Sequence, residues 1–144
     1  MKKRYEYTPD PMTDLMTNEV FVFGANQLGE HNGGSAYAAK KFYGAVQGEI
    51  HRTGRCYGLV TINFPTGTTD KILGREPNRI TFEELSEEFK DFFKAAELES
   101  EKIFYLTKVG LGIAGWSLEE VKAAFNLSYM PGRHKNVVIP IDFS

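Results

Sequence analysis

Four short apolar runs rich in β-forming residues alternate with three stretches of helical character, and few folds accommodate that order. The runs are EVFVF (19–23), CYGLVTINF (56–64), KIFYLT (102–107) and NVVIPI (136–141). Between them lie SAYAAKKFYGA (35–45), ITFEELSEEFKDFFKAAEL (80–98) and SLEEVKAAF (117–125). Runs that are apolar throughout, rather than at every second residue, suit sheets covered on both faces. A helix between each successive pair of strands predicts an α/β protein with a mostly parallel sheet and right-handed crossovers. Residues 1–144 are expected to form one domain, with residues 1–18, including Pro9 and Pro11, an irregular lead-in.

Two helix starts are marked in the sequence. Thr81 with Glu84, and Ser117 with Glu120, have the spacing of capping boxes. In the longest helix Phe82, Leu85, Phe89, Phe92 and Phe93 fall on one face, which predicts a core-facing stripe. The opposite face carries Glu83, Glu87, Glu88 and Asp91 and is expected to be solvated. PTGTTDKILGREPNR (65–79) is expected to be a polar loop.

Composition excludes several function classes. Seventeen basic against nineteen acidic residues leave a net charge of −2, so no global positive field favours general nucleic-acid or anionic-membrane binding. Cys56 is the single cysteine and is expected to be a small buried hydrophobe. No Cys/His group has zinc-ligand spacing, and neither a metal nor a cofactor is called for. No apolar run nears the ~20 residues needed to span a bilayer, and no secretory signal precedes the first strand. The expected location is cytoplasmic, with no membrane partner.

In a parallel α/β sheet, ligands sit beyond the carboxyl ends of the strands. Two glycine-rich loops should open there. The first, FGANQLGEHNGGSAYAA (23–39), holds Gly24, Gly29, Gly33 and Gly34, with Ser35 near the helix start. Bare backbone N–H groups at a helix N-terminus can bind an anion. The Asn26 amide can donate and accept, which suits a pair of ribose hydroxyls. The second loop, KVGLGIAGWSLEEV (108–121), spells G-x-G-x-x-G with Gly110, Gly112 and Gly115. A dinucleotide-binding fold would place this spacing after the first strand, with an acid about 20 residues later. Here it follows the third apolar run, and position 135 is Lys. The lysine and aspartate of a kinase site are absent, as is the Gly-Lys-Ser/Thr of a Walker A loop. Each loop alone fits a phosphate cradle and a structural turn about equally. As a pair at one edge, they suit an elongated ligand with two phosphates.

Further candidates are singles. His31 beside the first loop could contact a phosphate or act as an acid/base; the other reading is an exposed loop histidine. His51 and His134 lie in polar stretches and are expected to be solvated. Phe64 and Thr66 follow the second apolar run, where Phe64 either stacks on a base or packs in the core.

These residues carry a resemblance. VFVFGAN with HNGGSAYAA resembles the first loop of the macro domain, and VGLGIAGWSLEEV resembles its second. The match is closer to a small macro-domain-like family of bacterial and phage proteins, and it covers about residues 14–141. The resemblance implies a three-layer α/β/α sandwich that binds ADP-ribose, and in some members hydrolyses ADP-ribosyl bonds or ADP-ribose phosphates. It implies that Gly110, Leu111, Gly112, Ile113, Ala114 and Gly115 cradle the diphosphate. Trp116 would lie beside that loop over the distal ribose. Asn26, Gly33 and Gly34 would hold the distal ribose, with Gly24, Ala25 and Ser35 as further ligand-binding residues, and Asp14 is the nearest match to the aspartate that reads the adenine amino group. The implied partners are ADP-ribose or a related nucleotide and an ADP-ribosylated macromolecule. The carboxylate that hydrolase members carry after the glycine triplet is missing, because no acid occurs between Glu30 and Glu49. Binding is therefore the first expectation. The alternatives are hydrolysis on the same site, with Asn26 and His31 as catalytic candidates, and a phage-related assembly protein without a ligand.

Overall fold

The computed structural model describes residues 3–29, 34–62, 80–111 and 114–144, with Gly34 and Ser35 described by their backbone only. In chain order the elements are β1 (Glu19–Asn26), α1 (Gly34–Phe42), β2 (His51–Thr53), β3 (Cys56–Ile62), α2 (Phe82–Leu98), β4 (Ile103–Leu106), α3 (Leu118–Asn126) and β5 (Val137–Val138). A 3-10 turn over Ile141–Phe143 follows. The five strands form one mixed sheet in the order β2-β3-β1-β4-β5. Neighbours are parallel except β2, which runs antiparallel to β3. The α/β class expected from the alternation is present. No helix among the described residues is long and apolar enough to cross a membrane.

β1 lies in the middle of the sheet and is buried on both sides. Successive strand residues point to opposite faces. Val20 and Val22 accordingly pack with Leu85, Phe89, Phe92, Val121 and Phe125, which come from α2 and α3. Phe21, Phe23 and Ala25 pack with Met12 and with Ala36 and Ala39 of α1. A strand covered this way must be apolar at every position, which is why EVFVF shows no alternation. Burying each of these large side chains contributes roughly 2 kcal/mol.

Both capping boxes form. The Thr81 hydroxyl accepts from the Glu84 N–H at 3.1 Å, and the Glu84 carboxylate accepts from the Thr81 N–H at 2.9 Å. Ser117 and Glu120 repeat the exchange at 3.1 and 3.0 Å and fix the start of α3.

Two strands differ from expectation. β2 has the sequence HRT, too short and polar to show as an apolar run. It is held by an antiparallel pairing to β3 across the turn at Gly54 and Arg55. β5 is confined to Val137–Val138, whereas the apolar run continues to Ile141. The lead-in takes its outer edge instead. The Thr8 N–H donates to the Ile139 carbonyl at 2.9 Å, and the Thr8 hydroxyl donates to the Val138 carbonyl at 3.1 Å.

The two downstream histidines are not solvated loop residues. His134 is buried against the Phe93 ring, 4.4 Å between centroids. Its Nδ1 accepts from the Met130 N–H at 3.0 Å, so its Nε2 carries the proton donated to Glu97. His51 is half-buried and lies 3.1 Å from Glu88 of α2. That hydrogen bond raises the His51 pKa against the opposing effect of burial. Glu88 also accepts from the Val60 N–H at 2.7 Å, so this member of the acidic face caps the outer edge of β3. Cys56 is fully buried, and burial pushes its thiol up to about 12.

At the opposite end of β1, Glu19 is a buried carboxylate surrounded by donors. Arg4 reaches it at 2.9 and 2.5 Å, the Met16 N–H at 2.7 Å and the Tyr105 hydroxyl at 2.9 Å. Burial pushes its pKa up, but these hydrogen bonds outweigh burial and hold the carboxyl below its ordinary value. Its contribution to stability is therefore present above the ordinary glutamate pKa and is lost as pH falls through the folded value. Arg4→Ala would leave this buried charge short of its cation. We expect a loss of about 3 kcal/mol at pH 7 in denaturant unfolding. The gap to the native chain should shrink as acid protonates Glu19, and a gap independent of pH would contradict this account.

Candidate functional site

Because β1, β3 and β4 are parallel, their carboxyl ends, Asn26, Ile62 and Leu106, face one edge. β1 leads from that edge toward α1, and β4 leads through the second glycine loop into α3. The segments that follow β1 and β4 therefore leave the sheet at the same edge.

The second loop is anchored at both ends. The Thr107 hydroxyl donates to the Val22 carbonyl at 2.7 Å, holding the exit of β4 against β1. Gly110 follows with φ +82°, a backbone state open to glycine and strained for other residues. A Cβ there would stand 3.1 Å from Trp116 Cδ1. The Trp116 N–H donates to the Gly110 carbonyl at 2.9 Å, and its indole Nε1–H donates to the Thr61 carbonyl of β3, also at 2.9 Å. Gly24 of β1 lies beneath; a Cβ there would meet the Gly110 nitrogen and Thr61 Oγ1 at 3.5 Å each. Leu111 and Ala114 are half-buried against the core. Gly115 has φ +75° with open space around its missing Cβ. Gly112 and Ile113 lie outside the described residues.

One expected role changes. Trp116 is 5% exposed and its N–H is committed to Thr61. It supports the loop from below and does not present its ring to a ribose. The burial arises because Trp116 packs back against Gly110, a contact that spacing alone does not reveal.

In the first loop, Gly24 and Ala25 are strand residues rather than loop residues. Ala25 is buried and faces the cluster that includes α1. Asn26 ends the strand at an irregularity in the β1–β3 register. Its Oδ1 accepts from the Leu28 N–H at 3.0 Å, and its carbonyl accepts from the Gly29 N–H at 3.1 Å. Asn26 therefore shapes the turn at the loop edge. Gly29 has φ +67°, and its missing Cβ admits the 48–49 backbone, 2.6 Å from where that atom would stand. The α1 backbone begins at Gly34, with Ser35 in its first turn. Glu30, His31 and Gly33 lie outside the described residues, as do Phe64, Thr66 and the 65–79 loop.

Asp14 is not brought to these loops. Arg4 joins it, at 3.3 Å, to Glu19, the first residue of β1. Asn26 is the last residue of that strand, and eight residues of extended chain put the two ends about 23 Å apart. The lead-in offers a different aspartate. Residues 8–12, Thr107–Lys108 and 140–142 surround a cavity of about 480 Å³, floored by Phe21 and Ala38. At its rim Lys108 lies 2.9 Å from Asp10 and 3.9 Å from Asp142. Lys108 is two residues before Gly110, so the cavity adjoins the second loop. Lys108 directly follows the β4 exit, and that placement was the available signal; Asp10 and Asp142 carried none.

The two positive-φ glycines should respond differently to Ala. Each pays for the left-handed backbone, roughly 1–2 kcal/mol, but Gly110 alone also forces a Cβ against Trp116. Gly110→Ala is expected to lower stability clearly more than Gly115→Ala in denaturant unfolding. Equal losses would contradict the packing of Trp116 under Gly110.

No protein-family model matches the chain, and no curated protein or solved structure matches it.

Proposed function

We propose that the chain binds ADP-ribose, or a closely related adenine nucleotide diphosphate, on a macro-domain-like three-layer α/β/α scaffold. The observation that carries this reading is the convergence at one sheet edge. β1 and β4 leave the sheet at that edge, Gly110 turns there with positive φ, and the 480 Å³ cavity is lined by Lys108, two residues before Gly110. Backbone N–H groups of the Gly110–Gly115 turn and of the first turn of α1 would hold the diphosphate. The cavity would take the adenine: its volume lies in the range of small-molecule sites, and its apolar floor is joined by a few polar groups. In this arrangement Asp10, rather than Asp14, is the lead-in carboxylate placed to accept from an amino group.

Binding is favoured over hydrolysis by the absence of any carboxylate between Glu30 and Glu49, the stretch that opens α1. The diphosphate would be gripped mostly by backbone donors, with no carboxylate from the stretch that opens α1 beside it.

Titration calorimetry tests the reading. ADP-ribose is expected to bind with a dissociation constant on the order of micromolar, and AMP at least about tenfold more weakly, because it lacks the second phosphate and distal ribose. Gly112→Glu should abolish binding, since its carboxylate would enter the phosphate path. Neither heat nor thermal shift with ADP-ribose, AMP or NAD at millimolar concentration would sink the proposal.

A further inference from the structure

His51 is the one residue other than glycine, among those described, with a positive φ, +60°. Histidine visits this left-handed region more often than most residues, but the state is strained and persists only where neighbours hold it. Here the side chain is held from two elements. Its Nε2–H donates from β2 to both carboxylate oxygens of Glu88 on α2, at 3.1 and 3.2 Å. Its ring stacks on Tyr57 of β3, 5.4 Å between centroids.

The segment just before His51 reaches the carboxyl edge of the sheet. The Gly48 N–H donates to the Gly29 carbonyl at 2.8 Å, and the Gly29 N–H donates to the Asn26 carbonyl at 3.1 Å. The contact is close, because a Cβ on Gly29 would stand 2.6 Å from the 48–49 backbone. Residues 48–51 therefore tie the Asn26–Gly29 turn to α2. Glu88 is itself fixed, since it also accepts from the Val60 N–H at 2.7 Å. Of the groups facing His51, Glu88 and Asp91 come from α2 and Tyr57 from β3. On its own stretch Arg52 is committed to Glu99, and Glu49 lies two residues before it. The imidazole is the group in this set whose ordinary pKa lies near neutrality.

We propose that His51 is a pH-sensitive clamp, which holds residues 48–51 and the Asn26–Gly29 turn in place when protonated and lets them relax when neutral. A hydrogen bond between two charged groups is roughly twice as strong as a neutral one. The strain of the left-handed backbone is of the same order as that difference, so losing the charge tips the balance. The bond to Glu88 raises the His51 pKa, ahead of the opposing effect of burial. A group raised in this way contributes fully below its ordinary pKa, and its contribution is lost as pH rises through the folded value. The clamp is therefore closed on the acid side and opens on the alkaline side. Each unit of the raise corresponds to about a tenfold change in the opening equilibrium. The clamp acts on the protein's own sheet edge and needs no ligand.

An NMR pH titration of the full chain tests it. The His51 ring resonances should titrate with a midpoint above the ordinary histidine value, and the Gly29 and Gly48 amide shifts should follow that midpoint. Exchange of the Gly48 N–H, corrected for its intrinsic pH dependence, should rise about tenfold per unit of the raise as pH crosses the midpoint. Amides in the middle of β1 should show no such step. Glu88→Gln keeps an acceptor for Val60 and for a neutral His51, and should lower the ring and amide midpoints together. His51→Asn suits the left-handed backbone and should remove the titration at Gly29 and Gly48. Thermal unfolding shows that each variant is folded; if His51→Asn is not, the midpoints in Glu88→Gln decide. Amides that do not respond to pH in the native chain would overturn the clamp. So would amide midpoints unmoved in Glu88→Gln or retained in His51→Asn, which would assign the response to another group such as His31, two residues from Gly29.

Discussion

The carboxyl edge of the sheet depends on the contact between Trp116 and Gly110. The indole N–H reaches down to the Thr61 carbonyl of β3, and the backbone N–H of the same residue holds the Gly110 carbonyl. One residue thus joins a strand end to both ends of the loop over β1. A Cβ on Gly110 would stand 3.1 Å from Trp116 Cδ1, so glycine there keeps this contact unstrained. A lost partner here would leave a buried polar group unsatisfied, which costs more than an average hydrogen bond contributes. The Ser117–Glu120 box then starts α3 at once, so little slack remains between the turn and the helix.

The other end of β1 contributes to the same site through the lead-in. Arg4 is tied to Glu19, Thr8 to the β5 edge, and Asp10 to Lys108. These contacts run the segment from the amino edge of the sheet to its carboxyl edge, where residues 8–12 wall the cavity. A buried carboxylate distant from the loops thereby helps to position the rim. The cluster is costly to desolvate and is retained with four donors around it, which suits a role in fixing where the lead-in runs.

Much of this was legible in the sequence. β1, β3 and β4 showed as apolar runs because burial on both faces demands apolar residues throughout. The capping boxes located α2 and α3 because their hydrogen bonds are local. What escaped was non-local or polar. β2 is three polar residues that become a strand only through a partner. His134 is buried because Phe93, more than forty residues earlier in α2, stacks on it. The resemblance put Trp116 beside a ribose, yet the fold turns it inward. Asp14 was the nearest match to the family's aspartate although its separation from Asn26 was short, and Arg4 holds it at the far edge of β1. The Asp10–Lys108–Asp142 rim joins three regions that no spacing rule connects.

The central claim is that backbone donors at one sheet edge bind a diphosphate. Amide chemical shifts recorded during an ADP-ribose titration test it most directly, because they report each N–H separately. The largest changes are predicted at Gly110, Leu111, Ala114, Gly115, Gly34 and Ser35, with smaller ones at Lys108 and Asp10 along the cavity rim. Changes confined to other surfaces, or no changes at saturating ligand, would contradict it.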